Sequence, residues 1–420
     1  MPGKYNPFRP DKILPPGSFV GRVDELKMID HCFLQTQFGN PQHFLIEGEK
    51  GIGKSSLMLC ETFVAQGKIK PLLSDERISF LTISISLQED DDDISILRKI
   101  SDGLKREISK RDKLKSLALS AWDVLTRIEG AGFRIRDAKT PVQQELFSVI
   151  QNDFASVIES FDESIHGIFL NIDEADKAPE QANLGLICKL LTESLSRRGL
   201  DKLCIGLAGL PGLVNKLRAS HESSPRIFQT LMLQPLEPEE SQLVLQRGLG
   251  EALKTNKFNV SITPDASKYI CDMSEGYPHF LQEFAYSAFE ADSDNEIDIH
   301  DVTASLFNEN GAFDQLGRKY FDQYYVAPDS DDYRKVLHTM ADHSDSWVSR
   351  ATLITETSLK GGTIDNALRA LKSKNIIVQS ELKSGLYKLP TKSFAIWIKA
   401  KSEKQMGTDA PSLFSGISDA

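Results

Sequence analysis

Cysteine is scarce in this chain, and its spacing is wrong for any framework. Cys32, Cys60, Cys188, Cys204 and Cys271 are spread through 420 residues. An odd count at such distances excludes a disulfide scaffold and any paired-cysteine metal motif, and it points to a reducing compartment. No window offers the roughly 18 apolar residues of a membrane span. The opening stretch, MPGKYNPFRPDKILPPGSF, has charges and prolines where a secretory signal needs an apolar core. A cytoplasmic protein without a membrane partner is expected. Positive net charge is missing too: 49 Lys and Arg against 60 Asp and Glu give −11. A surface built as a whole for gripping nucleic acid is thereby excluded, although a local basic face is not.

What is present is an ordinary soluble composition, 40% hydrophobic and 26% charged, which excludes fibrous and wholly disordered chains. The length predicts about two to three domains. Prolines at 2, 7, 10, 15 and 16 make residues 1–17 an extended arm leading into the first domain. From 18 to 235, short apolar runs at Gln42–Ile46, Arg77–Leu87, Gly167–Ile172, Leu203–Leu207 and Thr230–Leu233 alternate with helical periodicity at Ser55–Gln66, Ile94–Ile108, Pro141–Phe161 and Asn183–Arg198. That alternation predicts a mostly parallel sheet covered on both faces. The acidic run Glu89–Asp93 reads as a solvated loop and helix start, and 128–140 as a loop or short hairpin. After Pro235 the pattern is helices only: Pro238–Lys254, Pro264–Ser274 and Pro278–Ala291, each opened by proline. This makes 236–311 a small helical domain. Between 312 and 400, helices at Asp329–His343, Ser349–Thr357 and Thr363–Ser373 precede strand-like Ile376–Ser380 and Gly385–Leu389, the outline of a winged helix-turn-helix. Residues 401–420 are expected to be a disordered tail.

The chemistry is carried by Gly48-Glu49-Lys50-Gly51-Ile52-Gly53-Lys54-Ser55. It satisfies G-x-x-x-x-G-K-[ST] between an apolar strand and a helix, the context such a match requires. Glycines at 48, 51 and 53 let successive main-chain N–H groups point at phosphates with no side chain intervening. Lys54 places a charge on the β/γ-phosphates, Ser55 offers a hydroxyl to Mg²⁺, Ser56 continues the site, and the helix N-terminus adds its partial charge. ATP and Mg²⁺ are the cofactors so implied. The strand Ile168–Ile172 ends in Asp173-Glu174. Asp173 would hold Mg²⁺ and Glu174 would orient or deprotonate the attacking water. Asp176 reads as a loop cap.

Phe19-Val20-Gly21-Arg22-Val-Asp-Glu25-Leu26, about 30 residues ahead of Lys54, resembles the FVGR-x-x-E-L box of bacterial and archaeal ATPases related to AAA+ and STAND proteins, including origin-recognition-type initiators. Leu203–Gly212 is similar to a sensor-1 strand and its turn, Pro225–Leu236 to an arginine-bearing box, and Gly276–Gln282 to the start of a lid helix. The resemblance covers residues 16–400 and implies a P-loop NTPase α/β domain, a helical lid and a winged helix. It further implies that Val20, Gly21 and Arg22 border the nucleotide base, that Arg226 is offered to a neighbouring subunit's γ-phosphate, and that Pro278 carries a lid contact. Arg226 paired with an acidic neighbour at a helix end is the alternative. Two departures stand out: Ala208-Gly209 occupies the place of a polar sensor-1 residue, and Pro278-His279 that of a sensor-2 arginine. Slow hydrolysis, as in a switch, is expected.

Residues 312–400 hold 13 Lys/Arg against 10 Asp/Glu, whereas the other 331 hold 36 against 50. Lys360–Lys399 alone carries eight basic and two acidic residues. A recognition helix with Asn366, Arg369 and Lys372 and a wing with Lys383 and Lys388 would suit duplex DNA through residues 360–399. Trp347 and Trp397 read as core. Two classes of function follow: an oligomerising, DNA-associated ATP switch, or a signalling ATPase whose winged helix binds a protein partner.

Overall fold

A computed structural model describes residues 4–115, 117, 140–308, 310–326, 330–344, 346–374, 376–380 and 383–405. The expected loop at 128–140, apart from its last residue, and residues 406–420 of the expected tail lie outside them. The chain divides into two compact units: residues 13–234, and residues 235 onward together with the first twelve.

The first unit runs α1 (Val23–Gln37), β1 (His43–Glu47), α2 (Lys54–Ala65), β2 (Phe80–Ser86), α3 (Asp93–Ser109), α4 (Thr140–Glu159), β3 (Gly167–Asp173), α5 (Leu184–Ser196), β4 (Leu203–Gly209), α6 (Leu213–Ser220) and β5 (Phe228–Met232). The five strands form one parallel sheet in the order β2-β3-β4-β1-β5. Strands buried on both faces have no polar side to show, so they read as unbroken apolar runs; β4 is buried along its whole length. One face packs Phe33 of α1 edge-on against Phe169, with Phe44 and Phe80 beside it. The other face gathers Leu45, Ile83, Leu170 and Ile205 with Leu97 of α3, Phe154 of α4 and Leu191 of α5. Gly206 lets the rings close: a Cβ there would lie 2.4 Å from Phe44.

The acidic run before α3 is more than a solvated loop. Asp91 is buried and accepts from Gln88 N at 2.7 Å and Lys99 Nζ at 2.5 Å, and Asp92 caps α3 through Ser95 N at 2.8 Å. Two further buried carboxyls lie on α1 and α2. Asp30 accepts the Leu72 N–H, and burial pushes it up to about 6. Glu61 is fully buried with neither oxygen hydrogen-bonded among the described residues. Burial, then the Asp30 charge, raises it well above the usual carboxylate range. The native state therefore keeps a proton that the unfolded chain releases above about pH 4.3, so this site costs stability as pH rises. Glu61→Gln carries no such proton. Its melting temperature should rise relative to wild type between about pH 5 and about pH 8; a gap independent of pH would contradict the assignment.

The second unit opens with α7 (Pro238–Asn256), α8 (Pro264–Ser274) and α9 (Pro278–Ala291), each with proline in its first turn, followed by α10 (Ile299–Phe307). It is not purely helical, because β6 (Ser261–Ile262) pairs in parallel with β7 (Glu296–Ile297). Next come α11 (Ala312–Leu316), a short π-helix (Gly317–Phe321) and α12 (Asp322–Val326). The remainder is α13 (Asp331–Asp342), β8 (Val348–Ser349), α14 (Arg350–Thr357), α15 (Gly361–Ser373), β9 (Val378–Gln379), β10 (Leu386–Lys388) and α16 (Lys392–Gln405), with an antiparallel β8-β10-β9 sheet.

Helix α16 departs from expectation, and it makes residues 401–405 helical rather than tail. It exists because Phe394, Ala395, Trp397 and Ile398 are buried and because Glu275 caps it, accepting from Lys392 N and from Ser393 N at 3.2 Å. Trp397 is core as expected. Trp347 is not: it is 40% exposed, with the Lys388 ammonium 5.0 Å from its ring centroid, because the adjacent Val348 takes the inward position. Among the described residues no helix is long and apolar enough to cross a membrane, and all five cysteines are buried and free.

Candidate functional site

β1, β4 and β3 lie side by side, and their carboxyl ends are level, with Ile46 opposite Ala208 and Leu207 opposite Ile172. Such an edge is where parallel α/β sheets bind ligands. From β1 the chain turns through residues 48–53 into α2. Gly51 and Gly53 stand at φ 82° and 101°, the left-handed conformation that bares main-chain amides. At Gly48 a Cβ would lie 2.8 Å from Ile52 Cγ2. Buried Ile52 anchors the loop from below, and Gly48 N donates to Gly209 O at 3.2 Å, while Glu49 and Lys50 are exposed.

Lys54 folds back over this loop, donating from Nζ to Gly48 O at 2.7 Å and Glu49 O at 2.9 Å. Burial lowers its pKa, against the opposing pull of Asp176, Asp173, Glu49 and Glu174. One cation thus stands in the field of four carboxylates. Ser55 is half-buried in the first turn of α2. The neighbouring Ser56 hydroxyl accepts Leu14 N at 3.1 Å.

Across β4, Asp173 ends β3 and accepts the Glu174 N–H at 2.8 Å. Glu174 sits at φ 53°, a left-handed conformation that a non-glycine residue adopts at a cost. Its carboxylate receives Ser86 Oγ at 3.0 Å and Lys177 Nζ at 2.7 Å. Burial works to raise its pKa, but the bonds from Lys177 and Ser86 and the Lys54 charge overcome this and lower it. Glu174 is ionised at neutral pH. Asp176 caps the neighbouring turn as expected, accepting Leu210 N at 3.0 Å.

The Phe19–Leu26 box is brought to the same loop. Gly21 and Arg22 stand at φ 76° and 60°, and the buried Arg22 guanidinium reaches Ile52 O and Glu25, each at 3.4 Å. Val20 and Gly21 are half-buried beside it in sequence. Arg226 lies in the 3₁₀ turn Ser224–Ile227 before β5, is exposed, and makes no ion pair among the described residues. Pro278 belongs to the other unit, at the first position of α9.

Sequence reasoning passed over Glu47, the last residue of β1. Its buried carboxylate accepts Gly212 N at 2.9 Å and Val214 N at 3.0 Å, which ties the turn after β4 to the strand that feeds the loop. A charge closing an apolar strand was the available signal. Bare amides at a helix N-terminus, an ammonium, a hydroxyl and two strand-end carboxylates make a donor set that fits a polyphosphate with a hard divalent cation.

No protein-family model and no curated protein matches the chain. Solved structures do. One is a Walker-type ATPase of Pyrococcus abyssi, 14% identical, covering 93% of this chain and 99% of that one, with a TM-score of 0.54. Another is the ORC2 protein of Aeropyrum pernix in ADPNP–ADP complexes, 12% identical over 95% of this chain and 98% of that one, with a TM-score of 0.55. Likeness at these identities speaks for the fold: the parallel sheet with helices on both faces is the P-loop NTPase fold.

Proposed function

We propose that this chain is an ATP-binding, slowly hydrolysing switch of the AAA+/STAND kind that assembles into oligomers and acts on duplex DNA through residues 360–399. The observation that carries the reading is Lys54, held over a left-handed glycine loop and facing the Asp173-Glu174 strand end. In this reading the amides of residues 48–55 and the Lys54 ammonium bind the phosphates, with Ser55 and Asp173 holding Mg²⁺. Mg²⁺, when bound, supplies charge neutralisation at the phosphate oxygens. Glu174 takes the proton of the attacking water.

Slow turnover is supported by the apolar end of β4 and by the ionic engagement of Glu174 with Lys177. Arg226, exposed and without an ion pair among the described residues, supports a role toward a neighbouring subunit. The nucleotides bound by the Aeropyrum protein agree with the choice of ligand.

The DNA reading rests on the order α13-β8-α14-α15-β9-β10, which we read as a winged helix. Along α15, Gly362, Asn366, Arg369 and Ser373 form one exposed stripe, while Asp365 is occupied by Arg350 at 2.5 and 2.9 Å. Asn366 and Arg369 on this stripe, with exposed Lys372 beside it, are thus the groups this helix offers to a base edge or phosphate. Exposed Trp347 favours a second reading, in which the same domain docks a protein. A gel shift separates them. Wild type should retard a duplex at low salt, with binding falling steeply as salt rises, and charge reversal at Lys372 and Lys383 should abolish it. No retardation at low salt would sink the DNA reading.

A further inference from the structure

We propose that residues 4–14 are a strap coupling the second unit to the nucleotide loop, an inference that rests on the ATP-switch reading. The arm is not a free leader. Lys4 Nζ pairs with Asp292 Oδ2 at 2.5 Å, where the Asp292 side chain has no solvent exposure. Tyr5 and Asn256 exchange two bonds, Tyr5 N to Oδ1 at 2.8 Å and Nδ2 to Tyr5 O at 3.0 Å. Phe8 is 3% exposed and meets Phe289 edge-on. It needs Gly248, where a Cβ would lie 2.5 Å from its ring. Arg9 N donates to Gln282 Oε1 at 2.8 Å, and the Arg9 guanidinium meets Glu251 at 2.5 Å. Asp11 pairs with Lys319 at 2.6 Å. Helices α7 and α9 provide most of these partners.

The chain passes between units twice, at Lys12/Ile13 and at Gln234/Pro235. Each passage is pinned on both sides by hydrogen bonds. At the first, Arg9 is held by Gln282 on α9, and Leu14 by Ser56 on α2. At the second, Leu233 N donates to Glu47 O at 2.8 Å, and Leu236 N to Gly276 O at 2.8 Å. Both passages therefore run from a flank of the phosphate loop to α9 or the turn that opens it. Pro10–Ile13, the only residues between the Arg9 and Leu14 anchors, span at most about 14 Å when fully extended. A single linker would act as a free hinge, whereas two short ones transmit a rearrangement at the loop to α9, and the reverse follows by reciprocity. The Leu14 anchor also leads directly into the turn Pro16–Ser18 and the Val20–Arg22 box.

The test inserts six Gly/Ser residues between Lys12 and Ile13, both exposed, leaving every anchor in place. Hydrogen exchange of the wild-type chain with Mg·ADP should slow in residues 48–56 and also in α7 and α9. In the insertion variant, protection should persist at 48–56 and vanish from α7 and α9, with ADP affinity lower by about tenfold. Arg9→Ala, which loosens the arm without lengthening the linker, should give the same loss and serves if the insertion does not fold. Equal protection of α7 and α9 with and without the insertion, or none in wild type that binds ADP, overturns the strap. Failure of wild type to bind ADP sinks the ATP-switch reading itself.

Discussion

Lys54→Ala is expected to abolish measurable nucleotide binding while leaving the fold intact. The ammonium is the one cation that the loop turns inward, held by Gly48 O and Glu49 O. Incoming phosphate oxygens exchange those neutral carbonyls for full negative charge, in a site shielded enough from water to lower the lysine pKa. Truncation loses that charge-assisted contact. It also leaves Asp173, Asp176, Glu49 and Glu174 facing a polyanion without a counter-charge. Removing one partner of a desolvated charge pair costs about 2–5 kcal/mol, or roughly 30-fold to several thousandfold in Kd. Buried Ile52 and the Gly48 N to Gly209 O bond remain to hold the loop, so circular dichroism should not change. A variant that binds ADP as wild type does would remove Lys54 from the site.

Glu174→Gln should do the opposite, keeping nucleotide and losing turnover. The amide matches the carboxylate in shape and can still accept from Ser86, but it cannot take a proton from water. General-base catalysis of this kind is worth roughly a hundredfold to ten-thousandfold, and phosphate release should fall by at least about the lower figure. Affinity for ATP should hold or improve, because a negative charge beside the phosphates is gone. Equal rates of phosphate release from wild type and Glu174→Gln would refute the assigned role.

What could be read from the chain divides along a physical line. The loop 48–55 and the strand end at 173–174 were legible because their geometry is local: glycine freedom, one strand and one helix are contiguous in sequence. Strands β1, β3 and β4 were legible because burial on both faces leaves unbroken apolar runs, whereas edge strand β5 is exposed at Gln229, Thr230 and Met232 and carries a weaker signal. Features made by distant partners were not. Prolines marked the arm as irregular, but nothing in residues 4–12 says that Phe8 fits against Gly248 and Phe289. Helix α16 carries its apolar residues in a cluster, Phe394–Ile398, followed by charges, so its burial is a tertiary fact. Trp347 and Val348 compete for one inward place, and the sequence does not say which wins. Glu47 shows the same limit at the site, since it matters through Gly212 and Val214, whose approach the fold alone creates.

The most direct test of the account is the wild-type reference of the Lys54→Ala titration, run as calorimetry of purified protein with adenosine di- and triphosphate, with and without Mg²⁺. Saturable heat that strengthens with Mg²⁺ and disappears in Lys54→Ala is the predicted result. No heat from wild type in the presence of Mg²⁺ would contradict the claim that this glycine loop and the Asp173-Glu174 strand end form a nucleotide site.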